Sequence, residues 1–192
     1  MKTYVVCERQ VDVQLLKKVL PSELTKNVEI VAAGGLYALK SLALSLVVRR
    51  QSPVAVVVDS DSVVLEQIQQ RVKDIEELLN SLAANTPVKV IPAVPALESI
   101  FFHDVSLLTR LLGYAPAPDL LSQATYQPRQ VLERLFFRAE NVKNQVHLLI
   151  SHLLINLTDQ DIATLRESKV IQALMEFLQS VQVTDEVLER SL

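Results

Sequence analysis

The sequence predicts an α/β protein, a Rossmann-like parallel sheet of about four strands followed by a helical C-terminal extension. Short runs rich in Val and Ile, almost continuously apolar, recur at Lys2–Cys7, Val28–Ala32, Val54–Val58 and Val88–Ile91. Strands that are apolar on both faces belong in a sheet covered on both sides. Between these runs the apolar residues recur every three or four positions, the period of a helix. After Pro95 no further strand-like run occurs. Alternation of this kind implies parallel strands joined by right-handed crossovers.

Each element has its own local cause. In Val11–Leu20 the positions Val11, Leu15, Leu16, Val19 and Leu20 make one apolar face, and Pro21 closes the segment. Gly34 and Gly35 follow the second strand, where a tight turn is required, and a helix is expected from about Leu36 to Arg50. Its terminal Arg49 and Arg50 suit the negative end of the helix dipole. Pro53 opens the third strand. A clear amphipathic helix follows, with Leu65, Ile68, Val72, Ile75, Leu79 and Leu82 on one face and Gln69, Arg71, Lys73, Asp74, Glu76 and Glu77 on the other. Pro92 and Pro95 are expected to stop the fourth strand at Ile91.

Beyond Pro95 one or two short helices are expected within Leu97–Leu112, and the loop Gly113–Pro118 marks a boundary between an α/β domain, 1–113, and a helical region, 114–192. A long helix is expected from about Pro128 to Leu157, with Val131, Leu135, Ala139, Val142, Val146, Leu149 and Leu153 on one face. Its last third, Val146–Ile155, is apolar nearly all round, which predicts burial in the bundle or against a second copy. Thr158 or Asp159 caps a further helix, Val170–Val181 forms another, and Thr184–Leu192 a short tail helix.

Composition bounds the function. The 192 residues suffice for one sizeable core, 49% are hydrophobic, and the net charge of -3 supplies no general attraction to polyphosphate. No apolar stretch is long enough for a transmembrane helix, so no membrane partner is expected. The N-terminal residues lack the pattern of a signal peptide, and the single cysteine, Cys7, reads as a small buried hydrophobe; a cytoplasmic protein is expected. His103, His147 and His152 lack metal-ligand spacing. Neither a Gly-x-Ser-x-Gly elbow nor a Gly-x-Gly-x-x-Gly turn is present. The match of Asn156–Thr158 to a glycosylation sequon reads as chance.

Chemistry concentrates at the expected carboxyl ends of the strands, where ligands of parallel sheets bind. Glu8 follows the first strand, Gly34-Gly35 the second, and Asp59-Ser60-Asp61 the third. On an extended backbone Asp59 and Asp61 point the same way and converge. Two readings stay open here. The four polar residues from Asp59 to Ser62 can start the long helix as its cap, or the two acids can hold a cation with hard oxygen ligands. Glu8 equally reads as a surface acid after a strand, Asp12 as an acid in the first turn of a helix, and the glycines as an ordinary turn. Ser60, Arg9 and Lys40 are candidate phosphate contacts, with solvated helix charge as the alternative for the two cations.

The order of these features resembles the Toprim domain of topoisomerases, DnaG-type primases and OLD-family nucleases, most closely the last. The resemblance rests on Tyr4–Glu8, Val28–Gly35 and Val54–Asp61 and covers about residues 2 to 92. It implies that Glu8 is an acid/base or metal-associated glutamate and that Asp59 and Asp61 bind Mg2+ or Mn2+. Asp12, four after Glu8, is similar to the additional acid of the OLD-like branch, and Glu98 to the glutamate that follows the fourth strand there. The implied activity is phosphodiester hydrolysis or transfer on nucleic acid. Arg9 departs from the family, which places a small residue after the glutamate; such an arginine pairs with Glu8 or reaches for phosphate. No Gly-x-x-x-x-Gly-Lys-Ser/Thr segment, zinc-ligand cluster or placeable nucleophilic tyrosine accompanies the motifs. An alternative is therefore an interaction protein of the same fold, whose helical tail docks an ATPase chain or a second copy to form a homo-oligomer. A receiver-like or Rossmann-like small-molecule binder is a third reading.

Overall fold

The structure, a computed structural model, describes residues 2–83, 85–136 and 146–189. Four strands, β1 (Thr3–Cys7), β2 (Val28–Ala32), β3 (Val54–Asp59) and β4 (Val88–Ala93), form an all-parallel sheet in the order β2-β1-β3-β4. The register sets Val5 beside both Ile30 and Ala55, and Val56 beside Val90. Successive side chains leave a strand on opposite faces, and the packing follows that rule. Val5, Cys7, Ala55, Val57, Ile91 and Ala93 enter one core, whereas Tyr4, Val6, Val54, Val56, Val58 and Val90 enter another.

The second core is closed by α3 (Leu36–Arg50) and α4 (Leu65–Asn80), through Leu39, Ala43, Leu46, Val47, Ile75 and Leu79. The ends of the expected stripe on α4 are not used: Leu65 and Leu82 stay exposed. Strand β4 runs through Pro92 to Ala93, two residues past the expected stop. It lies at the sheet edge, where a residue without an N–H is tolerated.

The first core is larger and crosses the whole chain. It takes α1 (Gln10–Val19), the short α2 (Ser22–Thr25), a 3-10 helix over Leu97–Phe102, α5 (Val105–Leu112), α6 (Pro118–Ala124) and α7 (Pro128–Phe136). The helices α8 (Val146–Ile155), α9 (Asp159–Arg166) and α10 (Lys169–Glu189) pack on it as well. Val13 and Leu16 of α1 share this core with Leu132, Leu153, Leu165 and Leu174. Gly113 ends α5 in the left-handed conformation at φ 75°, and residues on both sides of it contribute to this core. The buried part of the expected apolar stretch Val146–Ile155 thus packs within the chain, at Ile150, Leu153 and Leu154, while Ile155 is exposed.

Of three expected helical features, one lies partly outside the described residues, one is as expected and one differs. The helix that starts at Pro128 is described to Phe136 and helix again from Val146; positions 137–145, which include Ala139 and Val142 of the expected stripe, lie outside the described residues. Thr158 caps α9, its hydroxyl accepting from Asp161 N–H while Asp161 reaches back to the Thr158 N–H, a capping box. The two helices expected at the C-terminus are one, α10, because no Gly or Pro between Val181 and Thr184 interrupts it; 190–192 lie outside the described residues. Among the described residues no helix is long and apolar enough to cross a membrane.

Candidate functional site

Because β1 and β3 are in-register neighbours, their carboxyl ends stand side by side, with β2 and β4 flanking them. Asp59 is the last residue of β3 and only 8% exposed. Its Oδ1 accepts the backbone N–H of Leu97 at 2.9 Å, and its Oδ2 accepts Arg129 Nη2 at 2.9 Å. Glu8, one residue beyond β1, accepts the Asp59 backbone N–H at 3.2 Å. Val64, not any residue of Asp59–Ser62, is the N-cap of α4, so helix capping does not account for Asp59.

Glu98, in the 3-10 helix after β4, is 2% exposed. Arg9 Nη1 donates to its Oε1 at 2.7 Å, and Arg129 Nε donates to the same oxygen at 3.0 Å. Asp12 lies in the first turn of α1, where its Oδ2 accepts the Arg9 backbone N–H at 3.0 Å and its Oδ1 accepts Arg9 Nη2 at 2.6 Å. Asp12 is therefore both a helix-start acid and a member of the rim. Arg9 Nη2 also stands 3.6 Å from Asp59 Oδ2. Three acids from three segments, joined by two guanidinium groups, form one buried network.

The electrostatics follow from burial and crowding. Desolvation pushes Asp59 up to about 7; Arg9 opposes this, and the charges of Glu98 and Asp12 add to it. Asp12 is pushed up to about 6, again chiefly by burial. For Glu98 burial acts in the same upward sense, but hydrogen bonds and charge from Arg9 and then Arg129 hold it below the ordinary range. Desolvation disfavours the charge on Arg9 and Arg129, yet the acids raise both above the ordinary value. Counting formal charges, Glu8, Asp12, Asp59 and Glu98 supply four negative charges against two positive from Arg9 and Arg129, an excess of two.

Several expectations need correction. Asp61 does not converge with Asp59, because the chain leaves the extended conformation after β3 and Asp61 adopts φ 52°. Its side chain, 69% exposed, turns outward to Arg71 Nη1 at 2.6 Å. Ser60 is buried and its hydroxyl donates to the Ser62 carbonyl at 2.7 Å, so it is not offered to a phosphate. Arg9 pairs with Asp12 and Glu98 rather than Glu8. Lys40, half-buried on α3, stands outside the hydrogen-bond network of the rim acids. Gly34 and Gly35 do border the rim: Gly34 N–H donates to the Glu8 carbonyl at 2.8 Å, both have positive φ, and the space above their Cα atoms is open.

Arg129 is the residue that sequence reasoning missed. It lies 70 positions after Asp59, on α7 in the helical region, with no motif around it. Among the described residues no three His, Cys, Asp or Glu side chains are arranged to hold a metal ion. The Arg9 guanidinium instead spans the three acids, bonded to Asp12 and Glu98 and 3.6 Å from Asp59.

Sheet order, rim and flanking helices define an α/β protein with a four-stranded, all-parallel, Rossmann-like sheet and added helices. No family model matches the chain, and no curated protein matches it. Its fold is similar to that of the C-terminal region of the OLD protein of Xanthomonas campestris pv. campestris, with a TM-score of 0.54 at 10% identity, over 96% of this chain and 97% of that one. The likeness is one of fold and spans the helical region as well as the sheet.

Proposed function

We propose that this chain cleaves phosphodiesters of nucleic acid at the carboxyl rim, as a distant OLD-like Toprim nuclease assisted by Mg2+ or Mn2+. The carrying observation is the burial of Asp12, Asp59 and Glu98 at one rim beside Glu8. Buried acids are costly unless matched, and a purely structural sheet edge has no need of them. The donors suit a hard cation in their chemistry, since they are carboxylates, while Arg9 and Arg129 now span them and no three are arranged around one ion among the described residues. Glu8, Asp12, Asp59 and Glu98 are the residues that would hold it, with Asp61 able to join only if it turned inward from Arg71. When bound, such an ion polarises a phosphodiester and makes a water nucleophilic near neutral pH.

The chain's own residues have separate tasks in this reading. Leu97 N–H and Arg129 orient the Asp59 carboxylate. The open space at Gly34 and Gly35 lets a backbone of substrate approach Glu8 closely. Arg129, on the partly exposed side of the network, is suited to a phosphate oxygen by its fork of donors. The test is cleavage of single- and double-stranded DNA and RNA with Mg2+ or Mn2+. The expected result is cation-dependent cleavage that falls at least about a hundredfold in Asp59→Asn, the loss typical for a group acting on the reacting centre. Absence of cleavage on every substrate would reject the reading.

A second reading, an interaction protein with little catalysis, is favoured by the fact that two arginines already match the acids. Exposed Ile155 and Val183 on the C-terminal helices would then contact an ATPase chain or a second copy. Light scattering distinguishes these, since a strict monomer argues against self-association.

A further inference from the structure

We propose that Arg9 stands in the place of the metal, so that the rim carries its own competitor, which a divalent cation must displace before the acids can share it. This rests on the metal-assisted reading above. One guanidinium reaches all three buried acids: Nη1 to Glu98 at 2.7 Å, Nη2 to Asp12 at 2.6 Å, and Nη2 to within 3.6 Å of Asp59. A Mg2+ ion shared by those carboxylates would need their oxygens about 2.1 Å from it, and among the described residues no three acids are so arranged while the guanidinium spans them. Sharing an ion therefore requires the guanidinium to release the acids.

Three further observations support exchange over a permanent ion pair. Arg9 Nε is buried without a hydrogen-bond partner, so the network is incomplete as it stands. The Arg9 side chain is 27% exposed, so it has a route to solvent while the acids, at 3 to 10%, do not. With both arginines in place the rim with Glu8 still carries an excess of negative charge, which favours an incoming cation. Arg129 bonds Asp59 and Glu98 as well, so both keep one cationic partner when Arg9 leaves.

The experiment is equilibrium Mn2+ binding to the full chain, followed by the EPR signal of free Mn2+, for the native protein, Arg9→Ala and Arg9→Lys. The expected result is binding at least tenfold tighter in Arg9→Ala than in the native chain, with Arg9→Lys between them. Equal or weaker binding in Arg9→Ala, with measurable binding by the native chain, overturns the competitor and leaves the metal reading intact. No binding by any of the three overturns both. If Arg9→Ala does not fold, the native chain decides the matter through its arginine Nε–H resonances during Mg2+ titration. The Arg9 signal then shifts in step with binding; Mg2+ binding that leaves it unmoved overturns the proposal.

Discussion

Asp59 and Asp61 are two residues apart and chemically identical, yet they belong to regions of opposite character. Asp59 closes β3 inside a network of two arginines and two other acids, whereas Asp61 sits on the turn beyond it, mostly exposed and paired with Arg71. Water screens the second pair more than the first, whose acids are nearly covered while its arginines keep a partly exposed side. A charge is worth little in the one setting and a great deal in the other. The same contrast extends to Arg9 and Arg71, each of which bonds an acid at 2.6 Å while only the former lies among buried partners.

The largest break in this contrast is expected from removing the shared cation. Without added metal, Arg9→Ala leaves three buried acids short of a partner and is expected to lower stability by about 3 kcal/mol, toward the lower end for a broken buried pair because Arg9 is partly exposed. Urea denaturation measures it, and a loss below about 1 kcal/mol would mean the rim is as wet as the turn. Arg129→Ala is expected to follow at about 2 kcal/mol, since it is the more exposed of the two cations and Arg9 still serves Glu98.

Acidity sharpens the comparison next. Asp12 and Asp59 titrate at about 6 and about 7 in the folded protein, above their ordinary value of 3.8. Between those limits the native state binds more protons than the unfolded chain, so stability falls as pH rises through 6 to 7 and is fully restored by these groups only below about 4. Glu98, held low, acts in the opposite sense at the acid end, because its contribution disappears as it protonates. Thermal melting in the absence of metal is therefore expected to peak near pH 5 and to decline toward pH 8. Asp59→Asn should flatten the decline, and Asp61→Asn should leave it unchanged.

At the smallest end, Asp61→Ala is expected to change stability by less than about 1 kcal/mol, the ordinary worth of an exposed ion pair. Cys7 gives a companion probe of the same burial, since desolvation pushes its thiol up to about 12. Labelling by a thiol reagent at pH 8 should be slow in the native protein and fast in urea. Rapid native labelling would show that the β1 end opens to solvent.

Much of the fold was legible in the sequence because it is written in local periods. The four β-branched runs and the spacing from Ile68 to Leu79 specify strands and a helix without reference to distant residues. Pro92 misled, since whether proline ends a strand depends on whether that strand is at an edge, and edge position is a property of the whole sheet. The site was legible in part. Glu8, Asp12, Asp59 and Glu98 do meet at one rim, because strand-end position follows from strand order and parallel direction. Arg129 was not legible, as its role arises from packing between α7 and the rim rather than from any neighbour in sequence.

The sequence by itself determined the alternation of strand and helix, the delivery of acids to strand ends and the buried nature of Cys7, all consequences of short-range pattern and hydrophobicity. Only the tertiary structure decided that Asp61 turns away from Asp59, that Arg9 spans Asp12 and Glu98, and that the C-terminal helices share a core with α1. These are contacts between segments, in one case 89 positions apart, and their geometry depends on where the chain packs after its local elements have formed.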